Sequence, residues 1–243
     1  MNEHSRGLVL TFIAVLTLSP DALLVRLISV DTPTLLFWRG LLSGSMLYLL
    51  LLLYYRRRLF SMFRATGRIG ILAAFVIASG NMFFVSSLRL TTAANTLVIL
   101  ASTPLIAALG TRIFLGEAVP RRTWIAILTA FAGIIILFSG SLGHHSTLGD
   151  LLAIGGACCW AGNIVIVRAA RPRNMVPANA LGNLTVAPLA LLIGAAPLSV
   201  PPDDYGLLLI LGLLVLPVSY GLITLAPRIL SAAEVSLILL LET

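Results

Sequence analysis

Apolar runs of about the length of a membrane span recur along this chain, separated by short polar breaks. They cover Gly7 to about Ile28, Pro33 to Tyr55, Ile69 to Leu88, Thr92 to Glu117, Thr123 to Ser139, Leu148 to Ala170, Val176 to Leu198, and Tyr205 to Ala226. A ninth run begins at Ile229 and is still apolar at Thr243. Hydrocarbon offers a backbone no hydrogen-bond partner, so runs of ~17–25 such residues predict membrane-crossing α-helices. Short linkers make neighbouring helices antiparallel.

The fourth run is not uniformly apolar. On a 3.6-residue period Thr92, Asn95, Thr96, Ser102, Thr103 and Gly110 share one third of the circumference, and Leu97, Val98, Leu100, Leu105 and Leu109 take the rest. Pro104 removes a backbone donor and should free the carbonyl of Leu100. Taken whole, the stripe is expected to face a protein-lined cavity. Residue by residue, close packing of one helix on another explains it equally well.

Composition removes the soluble alternatives. The 243 residues are 59% hydrophobic and 10% charged, with mean hydropathy +1.05; a soluble domain carries ~25% charge. The net charge of +7 would point to nucleic acid in a soluble protein. Here every basic residue is arginine, and most lie in loops, where charge reports topology instead. Arg6, Arg56, Arg57, Arg58, Arg64, Arg68, Arg121, Arg122, Arg168, Arg171, Arg173 and Arg228 share one side, with Arg89 the main exception on the other. The positive-inside rule then puts the N-terminus in the cytoplasm and the chain in the cytoplasmic membrane. Cys158 and Cys159, adjacent in an apolar run, read as reduced packing residues.

An internal repeat is visible. A shift of 142 residues takes Gly7 to Gly149, Asp21 to Asn163, Val25-Arg26 to Val167-Arg168 and Gly40 to Gly182. A shift of 139 takes Thr92-Ala93-Ala94-Asn95 to Ser231-Ala232-Ala233-Glu234. Five spans per unit, an odd number, would set the second unit upside down on the first, as in many secondary transporters. The units are 1–140 and 148–243. The second lacks its end, so the fold expected is an all-α integral membrane protein of two inverted five-helix repeats, with about nine of its ten helices present and the chain truncated.

The run Asn95 to Glu117, with Pro104-Leu105 and a terminal Gly116-Glu117, followed by Trp124 and Gly133, resembles the EamA repeat of the drug/metabolite transporter superfamily. Trp160, Asn163, Arg168, then Ser231-Ala232-Ala233-Glu234 and Glu242 repeat the opening of that pattern. The resemblance implies a ten-span transporter with a central cavity for small polar metabolites. Ser19-Pro20-Asp21 departs from it where the second half keeps Trp160 to Asn163.

Asp21 is the most informative single residue. A carboxylate inside an apolar span costs ~2.5–3.5 kcal/mol on insertion scales unless it faces water, binds a proton or finds a cation. Arg26, five residues on, is poorly spaced for a pair within the helix; Arg39 could come near through the hairpin. Asp21 is thus a substrate or proton site, with Arg39 a second substrate-binding candidate, or half of a structural ion pair with Arg39, or an interfacial carboxylate if the first span ends early. Glu234 is the second proton-coupling candidate, set against the simpler role of a helix-start acid. Asn81, Asn95, Asn163 and Tyr220 could orient a substrate or bond a neighbouring helix. Trp160 and Trp38 could line the cavity or stand in an interfacial belt. Glu117 is expected to pair with Arg121 and Arg122, and Gly40 with Gly44 to mark close helix contact. His144 and His145 make no metal site by themselves. No cofactor is implied.

A secondary transporter, exporter or exchanger, of small polar metabolites such as amino acids is the leading expectation. Its partners would be the solute and the bilayer, with no nucleic acid, and a homodimer is allowed. No Walker motif supports ATP drive. An intramembrane enzyme on lipid-linked substrates lacks HExxH, GxSxG or equivalent motifs. A non-transporting subunit or truncated remnant is the other alternative.

Overall fold

The computed structural model describes residues 3–56, 59–138, 146–170, 173–226, 229–239 and 241. Arg57, Arg58, His144, His145, Arg171, Arg228 and Glu242 lie outside them. The described residues are overwhelmingly helical, without strands. The elements are α1 (Glu3–Leu18), α2 (Asp21–Leu27), α3 (Thr32–Tyr55), α4 (Leu59–Leu90), α5 (Ala93–Leu100) and α6 (Thr103–Leu115). They continue as α7 (Arg121–Phe138), α8 (Thr147–Ala169), α9 (Val176–Leu192), α10 (Pro202–Leu209), α11 (Leu216–Leu225) and α12 (Ala232–Leu239). Six stretches are long and apolar enough to cross a membrane: His4–Leu27, Thr32–Tyr55, Leu59–Leu90, Ala93–Leu115, Thr147–Ala169 and Pro202–Leu225. Val176–Leu192 is a shorter apolar helix. It stops before the Leu198 read from the sequence because Gly194, at φ 99°, turns the chain.

Prolines break the spans, and neighbouring hydroxyls repair them. α1 and α2 part at Ser19-Pro20, where the Ser19 amide and hydroxyl both donate to the Val15 carbonyl, at 2.9 and 3.0 Å. α5 and α6 part at Ala101-Ser102. The Leu100 carbonyl that Pro104 was expected to free accepts the Thr103 hydroxyl at 2.6 Å. Between α10 and α11 a π-helical turn over 210–215 widens the ladder just ahead of Pro217. Gly67, at φ 59° and ψ −153°, breaks α4 near its start.

Small residues let the central helices touch. A Cβ on Gly40 of α3 would lie 2.7 Å from the Asn183 carbonyl oxygen, and one on Gly44 2.7 Å from the Leu184 amide. One on Gly182 of α9 would lie 2.8 Å from the Ala74 carbonyl oxygen. α3 therefore packs along α9, and α4 along α8 and α9, with backbones nearly in contact.

Contacts recur in pairs at the spacing of the sequence repeat. α1 packs on α11 as α8 packs on α4, and α12 on α1 as α6 on α8. Arg26 donates to the Thr91 carbonyl at 2.8 Å, and Arg168 to the Leu230 carbonyl at 2.7 Å. A Cβ on Gly7 would strike Leu230, and one on Gly149 would strike Thr91. Thr92 caps the Asn95 amide at 3.1 Å, and Ser231 the Glu234 amide at 3.2 Å.

Candidate functional site

Helix breaks and small-residue seams leave a partly enclosed space among the central helices. Its walls are Leu18 and Asp21 at the first break, Leu97, Leu100 and Thr103 at the second, and Ile77, Asn81 and Phe84 of α4. Trp160, Asn163 and Ile164 of α8, Asn179 of α9, Tyr220 and Ile223 of α11, and Leu239 of α12 complete it. Both the first and the second half of the chain contribute. The space offers about 90 Å³ to the centres of water-sized molecules, several times the ~10–15 Å³ one water needs. Broken helices beside a cavity are where a membrane protein tolerates irregular backbone.

Asp21, 1% exposed, is held by Arg39, 2% exposed. Arg39 Nη1 meets Asp21 Oδ1, and Nη2 donates to Oδ2 at 2.7 Å, a fork-on-fork pair. The guanidinium carbon lies 5.6 Å from the centroid of the Phe84 ring. Arg39 Nη2 also donates to the Tyr220 hydroxyl at 3.1 Å, and that hydroxyl donates to Asn81 Oδ1 at 2.9 Å. Asn81 Nδ2 donates to Asn183 Oδ1 at 3.1 Å, Asn183 Nδ2 to Asn179 Oδ1 at 2.6 Å, and Asn179 Nδ2 to Thr224 Oγ1 at 2.8 Å. One polar chain thus runs from α2 through α3, α11 and α4 into α9. Charge assistance at the ion pair and shared dipoles beyond it make such a chain cohesive in a dry interior.

The sequence-predicted residues divide cleanly. Asp21, Asn81, Trp160, Asn163 and Tyr220 line the cavity, and Arg39 stands behind Asp21. The ring of Trp160 lies 5.0 Å from that of Phe84. Asn95 is placed elsewhere: it is buried and donates to Thr91 Oγ1 at 3.1 Å. Thr96 meets Ser87 at 2.9 Å, and Gly110 packs against Val165. The stripe assumes one continuous helix, but the break at Ala101-Ser102 resets its phase. Below it Thr103 reaches the cavity; above it Leu97 and Leu100 do, from the arc read as its back.

Glu234 Oε2 accepts the Ser231 amide at 3.0 Å and hydroxyl at 2.8 Å, a capping box at the start of α12. Trp38 Nε1 donates to the Pro197 carbonyl at 3.2 Å and does not line the cavity. Glu117 accepts Arg168 Nε of α8 at 3.3 Å, a partner across helices beyond the neighbours Arg121 and Arg122. Sequence reading missed Asn179 and Asn183. Their i, i+4 spacing in an otherwise apolar run was the available signal. It also missed Asp204, 5% exposed, which accepts the Ser29 amide at 2.9 Å and hydroxyl at 2.6 Å.

Apolar spans, proline-broken helices and a polar-walled space between them define a multi-pass membrane protein organised around an internal cavity. Residues 5–139 match the EamA-like transporter family. That is more than half of the 243 residues, and the chain belongs to this family of membrane transporters within the drug/metabolite superfamily. A protein of known crystal structure superimposes with a TM-score of 0.83 at 17% sequence identity, over 98% of this chain and 85% of its own. At that identity the likeness concerns the fold. No curated protein sequence matches.

Proposed function

We propose that the protein is a secondary transporter, exporter or exchanger, moving a small metabolite with hydrogen-bonding groups across the cytoplasmic membrane. Residues 1–140 and 148–243 act as two inverted repeat units, the second represented by four spans, that rock about the cavity, with the N-terminus in the cytoplasm. The observation that carries this reading is a partly enclosed space walled by both halves of the chain, with Asp21 of a buried ion pair on its wall. The paired contacts at the repeat spacing support the two-unit arrangement. Desolvating a charge in a protein interior costs on the order of several kcal/mol, and intramembrane ionisable groups mark substrate or proton pathways.

Asp21 is the coupling group of this reading, since Glu234 is engaged as a helix cap. Proton entry to Asp21 would release Arg39, weaken its hold on Tyr220, and loosen a chain that crosses between the halves. The test is efflux from sealed vesicles loaded with a small-molecule cell extract, with released solutes identified by mass spectrometry. Solutes should leave vesicles holding the protein faster than protein-free ones, and faster still under a proton gradient. The variant Asp21→Asn/Arg39→Gln, which removes both charges together, should lose the gradient dependence. No release from protein-bearing vesicles would refute transport; gradient-driven release by the double variant would refute the proton role alone.

A further inference from the structure

Resting on that reading, we propose that the cavity takes an uncharged molecule whose carbonyl oxygen accepts from Trp160 Nε1 and Asn163 Nδ2 and whose apolar body lies against the rest of the wall. Three observations converge. First, these two groups are open donors. Both side chains line the cavity and are half-buried. Neither nitrogen has a hydrogen-bond partner among the described residues, and neither is sealed from the accessible surface. Asn163 turns its oxygen into the protein, where it is buried, so the polar atom it offers outward is Nδ2. Three residues separate the pair on α8, which sets the donors about one turn apart on one face. An unmet donor in a dry site is costly, and an incoming acceptor removes that cost.

Second, the fold keeps the indole edge uncovered. Gly80 of α4 lies opposite it: a Cβ there would stand 2.9 Å from Trp160 Cδ1 and 3.0 Å from Nε1. A side chain at this position would close over the N–H, and glycine leaves it room. Phe84, with ring centroids 5.0 Å apart, steadies the same indole.

Third, the other donors on the wall are spent, and an anion finds no cation. Asn81 Nδ2 donates to Asn183, Asn179 Nδ2 to Thr224, the Tyr220 hydroxyl to Asn81 and the Thr103 hydroxyl to Leu100. Arg39 stands behind Asp21, and no lysine, arginine or histidine lines the space among the described residues. A carboxylate solute would meet Asp21 without a counter-ion of its own. A neutral carbonyl meets two N–H donors without that penalty, and the hydrocarbon of Leu97, Leu100 and Ile164 suits an apolar body.

The experiment uses the full chain in lipid nanodiscs. Its tryptophans are Trp38, Trp124 and Trp160, so the indole N–H region of a nitrogen–proton NMR spectrum is sparse, and Trp160→Phe assigns the resonance of interest. The probes are acetophenone, α-methylstyrene, in which a CH2 replaces the carbonyl oxygen on the same frame, and benzoate. Affinities come from equilibrium dialysis, with protein-free nanodiscs subtracted. Acetophenone is expected to move the Trp160 indole proton downfield, and to bind at least about ten-fold more tightly than either other probe. Trp160→Phe and Asn163→Leu should each reduce that preference, and the double variant should abolish it. Absent acetophenone binding, equal binding of α-methylstyrene, tighter binding of benzoate, an indole proton unmoved at saturation, or a preference that survives the double variant would each overturn the assignment. The wild-type spectrum and affinities decide the matter even where a variant fails to fold. Vesicle efflux separates the two readings. Efflux without acceptor preference removes this ligand class and leaves transport standing; acceptor-selective binding at Trp160 without efflux does the reverse.

Discussion

Asp21 and Asn163 hold matching positions in the two halves of the chain, line the same cavity, and are treated by the fold in opposite ways. Asp21 is locked by Arg39. The residue that matches Arg39 is Leu181, which is 38% exposed on the outside of the bundle, and Asn163 keeps an unpartnered oxygen. A carboxylate at membrane depth needs a counter-ion or a proton, and once paired it is part of the scaffold. An amide asks for less. It carries no charge, and leaving its oxygen unpartnered costs less than leaving a carboxylate unpaired. One position of a duplicated pattern is paired within the protein, and its twin carries no charge that demands a partner.

Removing one member of the pair gives the largest expected effect. Arg39→Leu strands Asp21 in the interior, and the loss in folding free energy should be about 3–5 kcal/mol, read as a collapse of the thermal midpoint in detergent. Asp21→Asn/Arg39→Met should recover most of that loss; equal damage from both variants would mean the pair is not the source.

The second matched pair, Arg26 and Arg168, should show a smaller contrast. Arg168 is 9% exposed, holds the Leu230 carbonyl and contacts Glu117, whereas Arg26 lies at an exposed position. Arg168→Gln should cost about 2 kcal/mol and Arg26→Gln less than half of that, given the greater worth of charged hydrogen bonds when desolvated. Parallel chemical-denaturation curves decide it.

Tyr220→Phe removes one acceptor from Arg39 and one donor to Asn81. It should cost about 1–2 kcal/mol and leave the Asp21–Arg39 pair in place, so its midpoint should fall between those of wild type and Arg39→Leu.

Asn163→Leu should leave stability unchanged or raise it by up to about 1 kcal/mol, because no side-chain hydrogen bond among the described residues is lost and a buried unpartnered oxygen is removed. A large fall in its midpoint would show that Asn163 is structural after all, and the contrast with Asp21 would dissolve.

The membrane helices were legible because a bilayer imposes its rule locally: enough apolar residues in a row, bounded by polar ones. The Asp21–Arg39 pair was also within reach, since a hairpin limits where a buried carboxylate can look for a cation. Asn95 shows where such reading stops. A helical wheel assumes constant phase, and two residues of turn at Ala101-Ser102 are enough to move Asn95 away from the cavity and bring Leu97 to it. Asn179, Asn183 and Asp204 were invisible for another reason. Their partners lie on helices far away in the chain, and only the packing of α9 on α3 and α4, or of α10 near Ser29, brings them together.

The seam of Gly40, Gly44 and Gly182 bears on how such a molecule can move. Side chains between two helices act as cogs, and sliding one past the other means lifting each cog out of its hole. Where backbone lies on backbone there are few cogs to lift. In the proposed rocking, the two halves would roll on a smooth bearing of peptide surface, and any added methyl group would be grit in it.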